Sequence, residues 1–127
     1  MSMCPCGLIK AYKLCCEPLH RGKRHAQTAE ELMRSRYSAY VQSKIQYLAD
    51  TQLDPLDLKQ AKKFSKQAKW QKLEVISTQD GQSEDTTGVV EFKAFYRMSG
   101  RLEVIHEVSY FEKKELGWLY LRPIEQV

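Results

Sequence analysis

Four cysteines fall at positions 4, 6, 15 and 16 of a 127-residue chain, and no cysteine follows Cys16. No other feature narrows the possible structure as much, because thiols packed this closely must either pair or share a ligand. Adjacent Cys15 and Cys16 pair poorly with each other, and a bridge inside so short a loop cannot staple a domain, so disulfides are the weaker reading. Four thiolates can instead close a tetrahedral shell around zinc, at about 2.3 Å per bond. Pro5 and Gly7 supply the tight turn that would bring Cys4 and Cys6 onto one ion. An all-cysteine shell leaves no position for water, so the expectation is one structural zinc on Cys4, Cys6, Cys15 and Cys16, holding together a segment too short to fold alone.

Charge gathers in the same place. The first 25 residues hold Lys10, Lys13, Arg21, Lys23 and Arg24 against Glu17 alone, an excess equal to the net charge of +4 for the whole chain. A second block, from Lys59 to Lys72, holds six lysines and no acid. Such blocks are either solvated helix faces or surfaces for anionic partners. No apolar run approaches the roughly 18 residues of a membrane span, and the first residues lack a basic segment followed by an apolar one, so a cytoplasmic protein is expected.

Hydrophobic residues make up 43% of the chain, enough for one core. Thr28-Ala29-Glu30-Glu31 reads as a capping box, and Ala29, Leu32, Met33, Tyr37, Tyr40 and Val41 recur at helical spacing to about Gln42. Arg36 falls in the middle of that apolar stripe, so its guanidinium either finds a partner on the core side or snorkels to the rim. A short helix is expected over residues 45–49, and a third from Asp54 or Pro55 to about Lys69 with Lys59, Lys62, Lys63 and Lys66 on one face. Alternation then predicts strands over 70–79, 88–98, 102–113 and 117–122, an α+β order of helices followed by an antiparallel meander. On the third strand Ile105, Glu107, Ser109 and Phe111 share a face, and His106 lies on the other. If that face is concave, Glu107 enters the concavity and Arg36 is its expected ion-pair partner. A desolvated Glu107 could alternatively act as a general base, with Tyr37, Tyr40, Tyr47 or Tyr96 donating to an oxyanion. The pair is the favoured reading, since a paired carboxylate stays acidic. The expected core residues Leu32, Met33, Tyr40, Phe92, Phe95 and Trp118 all follow Gln27, which suggests a separable unit over residues 1–25 and a body over 26–127.

The run Cys4-Pro5-Cys6-Gly7, with Lys10, Tyr12, Lys13 and the Cys15-Cys16 pair, resembles the SEC-C motif, the zinc-binding hook at the tail of the translocation ATPase SecA. It departs where that motif usually reads Gly-Ser-Gly-Lys-Lys, having Gly7-Leu8-Ile9-Lys10-Ala11. Leu32-Met33-Arg34-Ser35-Arg36-Tyr37-Ser38-Ala39-Tyr40, Tyr47-Leu48 with Thr51, Val90-Glu91-Phe92, Ala94, Tyr96, Glu107 with Ser109 and Phe111, and Trp118 with Tyr120 are similar to the signature of the bacterial YchJ family. After Thr51 that family commonly continues Trp-His, whereas this chain has Gln52-Leu53. The resemblance implies a nuclear transport factor 2-like cone, helices on a curved antiparallel sheet, preceded by the zinc hook. It implies an adaptor role, the basic hook docking on a protein partner such as the export chaperone SecB or the ribosome. The alternative is a cone that binds or converts a small molecule using Glu107, Arg36 and tyrosines. Nucleic acid is a weaker expectation, because the basic stretches lack interleaved aromatics for base stacking.

Overall fold

The computed structural model describes residues 3–126. After a 3-10 turn at Tyr12–Leu14 come four helices, α1 (Glu17–His20), α2 (Ala29–Gln42), α3 (Ile45–Asp50) and α4 (Leu58–Gln67). Four strands follow, β1 (Lys69–Asp80), β2 (Thr87–Met98), β3 (Arg101–Lys114) and β4 (Gly117–Gln126), in one antiparallel sheet of order β1-β2-β3-β4. Among the described residues no helix is long and apolar enough to cross a membrane.

The helical start at Thr28 is built as its sequence dictates. Thr28 Oγ1 accepts the Glu31 amide at 3.0 Å, and the Glu31 carboxylate takes the Gln27 amide at 2.7 Å, one residue before the cap. The helix ends on Ser43, which turns left-handed at φ 57°. Ala29, Leu32, Met33 and Tyr37 of α2 pack into the core with Val90, Phe92, Phe111 and Trp118 from the sheet. The opposite side of α2 is also covered, with Ser35 buried and its hydroxyl 2.7 Å from Tyr47 Oη on α3. Close approach at the top of α2 depends on glycine. A Cβ on Gly88 would meet Gly81 Cα at 2.6 Å and Ala29 Cβ at 3.0 Å, while the Ala29 amide donates to Gly81 O at 2.9 Å.

The third expected helix, α4, starts later than its sequence suggested. Asp57, rather than Asp54, is the cap, its Oδ1 accepting the Gln60 amide at 3.1 Å. Residues 51–53 are committed elsewhere: the Tyr120 amide donates to Thr51 O at 2.9 Å and the Leu53 amide to Tyr120 O at 3.0 Å, pinning the chain against β4. Strand β4 runs beyond its expected end, through Pro123, at the sheet margin where a missing amide breaks no interior ladder. The β2–β3 hairpin closes through Ser99 and Gly100, both at positive φ (53° and 78°), a two-residue turn whose twist suits the strands. Register shifts at Trp70/Lys72 and Val75/Ser77 in β1, and in β4 opposite Val108/Ser109 and Tyr110/Phe111, where Ile124 and Leu121 are the extra residues, accompany the curvature of the sheet around α2.

Candidate functional site

Two sites emerge, a cysteine cluster at one end and a cavity under the helices. In the hook, the Cys4 amide donates to Lys10 O at 2.7 Å and Gly7 turns at φ 97°, folding Cys4 and Cys6 back toward the 3-10 turn. That turn delivers Cys15, and Cys16 caps α1. The four cysteines are buried, and their sulfurs lie within 4.8 Å of one another. Cys6 and Cys15 sulfurs are 3.6 Å apart, far beyond a disulfide and close to the roughly 3.8 Å edge of a tetrahedron with 2.3 Å metal–sulfur bonds. Without a cation the cluster cannot ionise together. Hydrogen bonds from Cys16 and Cys6 pull the Cys4 thiol far down, and burial pushes Cys15 up to about 12. The four residues can therefore hold a metal ion, and among the described residues Tyr12 is the partly buried hydrophobic that packs beside them.

The hook is not a free appendage. Leu19 on α1 is buried in the main core beside Ala26, Ala29 and Leu32, so the core reaches back past Gln27, contrary to the expectation that it lies wholly beyond it. His20 sits between hook and body: Nε2 lies 2.8 Å from Ser35 O and Nδ1 lies 2.7 Å from the Tyr12 hydroxyl. A carbonyl only accepts, so the ring proton is on Nε2, Tyr12 donates to Nδ1, and burial lowers the His20 pKa. Arg34 Nη1 donates to Cys6 O at 2.6 Å while its Nε pairs with Glu30 at 2.9 Å. The outer face of the hook is different in kind, with Ile9 91% and Leu14 70% exposed beside exposed Lys10 and Lys13.

Arg36 is buried, as its place in the stripe required, yet its partner is not the expected one. Nη1 donates to Leu48 O and Thr51 Oγ1, each at 2.8 Å, and Nη2 to Gln52 Oε1 at 2.7 Å. Among the described residues no ion pair joins Arg36 to Glu107. The chain after α3 loops beneath α2 and supplies neutral oxygens first, while the guanidinium packs 4.9 Å from the centre of the Tyr120 ring. Glu107 accepts from Ser109 Oγ at 3.2 Å. Even so, the structure gathers Arg36, Tyr37, Tyr40 and Glu107 around one cavity of about 170 Å³, joined there by Trp70 and Tyr120. Tyr47 lies on the other side of α2 with Ser35, away from that lining. His106 turns to the outer face and meets Glu91 at 2.8 Å. The α4 lysines are exposed, and Phe64 of the same helix faces inward against Tyr40, Trp70 and Tyr96.

The family model for the YchJ middle NTF2-like domain matches residues 28–123. The chain belongs to the YchJ family. A UPF0225 protein of Geobacter sulfurreducens is 42% identical over 123 residues, covering 94% of this chain and 76% of that protein. One of Streptomyces coelicolor is 40% identical, covering 92% and 90%. The solution structure of a SEC-C motif containing protein from Rhodopseudomonas palustris is similar at TM-score 0.87 and 32% identity over 99% of each chain. A crystal structure of a SEC-C motif containing protein from Psychrobacter arcticus gives 0.83 and 32%, covering 100% of this chain and 84% of that one. The α+β cone with a cysteine hook is thus the fold of this YchJ protein. Position 52, where the sequence leaves the usual YchJ pattern, supplies an oxygen to Arg36. Sequence reasoning missed Thr51 and Gln52 as partners of that arginine, and Trp70 and Tyr120 as walls of the cavity. The polar Thr51-Gln52 pair directly after a helix was the available signal for the first, and aromatics on the inward face of β1 and β4 for the second.

Proposed function

We propose that this YchJ protein is a zinc-dependent docking module, whose hook binds zinc through Cys4, Cys6, Cys15 and Cys16 and engages a protein partner through its outer face. Zinc fits the donor set, since four thiolates in a closed tetrahedral shell suit that ion and leave no position for a reacting water. The observation that carries the docking reading is the exposure of Ile9 and Leu14, at 91% and 70%, on a segment whose interior is formed by the cysteines. Large apolar side chains held out in water and rimmed by Lys10 and Lys13 suit a partner with an apolar groove edged by acids. SEC-C hooks elsewhere engage the chaperone SecB and ribosomes, which makes these the partners to test. Zinc-loaded protein is titrated with purified SecB and, separately, sedimented with purified ribosomes, in parallel with the Ile9→Asp/Leu14→Asp variant. The expected result is saturable binding to one of the two that weakens at least about tenfold in the variant. Binding to neither, or binding that the double substitution leaves intact, overturns the proposal.

A further inference from the structure

Arg36 is 7% exposed, and a buried charge ordinarily sits against a counter-charge. Here its three hydrogen bonds end on neutral oxygens. A guanidinium carries five N–H donors, so two remain without a protein acceptor among the described residues. The group lies in the wall of the cavity described above. A second unsatisfied donor belongs to the same wall, since the indole N–H of Trp70 is buried with no acceptor among the described residues. Both deficits are of one sign: each is a hydrogen-bond donor in the cavity wall that meets no acceptor among the described residues.

The remaining walls narrow the class. Tyr37, Tyr40, Phe64, Phe92 and Ile105 make most of the surface apolar or aromatic, which suits a flat carbon body better than a hydrated inorganic anion. Burial pushes Tyr37 up to about 12, and burial together with the nearby Glu107 pushes Tyr120 to about 12, so both phenols are neutral and neither repels an anion. Glu107 also lines the cavity, which disfavours a second negative charge and favours a hydrogen-bond donor on the guest. An apolar cavity of about 150 Å³ admits benzene, so about 170 Å³ takes one six-membered ring with small substituents. We propose that this cavity is a binding site for a small aromatic monocarboxylate bearing a hydroxyl or amino group, its carboxylate on Arg36, its ring among the aromatic walls and its donor toward Glu107. This site stands independently of docking through the hook, and its failure would leave that reading untouched.

The test uses the metal-loaded full chain with 4-hydroxybenzoate as probe and 4-hydroxybenzamide as its neutral isostere, followed through the indole N–H resonance of Trp70. The acid should shift that resonance saturably and bind at least about tenfold more tightly than the amide, as a charge-assisted contact requires. Arg36→Gln should abolish that preference. Should Arg36→Gln not fold, Trp70→Phe keeps an aromatic wall, removes the donor, and should weaken the acid about threefold, followed by calorimetry. No saturable shift with the acid up to about 10 mM, or equal affinity for acid and amide, overturns the proposal.

Discussion

Removing residues 1–25 takes away more than a cysteine hook, because Leu19 goes with it. That side chain is 2% exposed within the main core, and truncating such a leucine to alanine costs about 2 to 5 kcal/mol. The deletion also removes the His20–Ser35 and Arg34–Cys6 hydrogen bonds, each of which contributes about 1 to 3 kcal/mol before water replaces the lost partner. A loss on the order of 4 kcal/mol follows for the deletion and about 3 kcal/mol for Leu19→Ala alone. Against a typical stability of about 5 to 15 kcal/mol the body still folds, but weakly. In a domain of about 100 residues each kcal/mol moves the melting temperature by about 4 to 8 °C, so the deletion should melt about 15 to 30 °C lower, still in one cooperative transition. Urea and thermal unfolding followed by circular dichroism, on the metal-loaded full chain, Leu19→Ala and the deletion, measure these differences. A deletion that melts within about 4 °C of the full chain, or a cost below about 1 kcal/mol for Leu19→Ala, would refute the coupling of hook to core.

Stripping the metal with a chelator should make all four cysteines reactive toward a thiol reagent and lower the melting temperature nearly as far as the deletion does, with one equivalent of zinc restoring both. Metal affinity should fall as pH falls, because protons compete for the same thiolates. Substitution Gly88→Ala should cost about 1 to 3 kcal/mol in urea unfolding, since its Cβ would lie 2.6 Å from Gly81 Cα and backbone must move to admit it; an unchanged midpoint would show that the Gly81–Gly88 contact relaxes freely.

Periodicity exposed those parts of the molecule that local chemistry decides. The Thr28 cap, the stripe through Leu32, Met33 and Tyr37, the alternation that places Ile105, Glu107, Ser109 and Phe111 on one face, and the four closely spaced thiols all follow from spacing alone. What escaped was set by chain paths that no period encodes. Arg36 had to be buried, but its acceptors come from residues 48–52, a return of the chain under α2 that the sequence does not announce. The cap of α4 moved from Asp54 to Asp57 because residues 51–53 first bond to β4. Leu19, a single apolar residue between Pro18 and His20, offers no repeat to read, and its burial depends on where the cysteine hook is anchored.

The margins of the sheet bear on how copies of this chain behave in a crowded solution. An open strand edge is a template on which another chain can extend a sheet, the first step toward insoluble assemblies. Here one edge, β1, is interrupted by two register shifts and carries exposed Lys69, Lys72 and Glu74. The other, β4, contains Pro123, and the Thr51 and Leu53 backbone already occupies the polar groups of Tyr120. Neither margin presents an uninterrupted row of free amides and carbonyls, so the irregularities that bend the sheet around its cavity also protect it from coalescing with its neighbours.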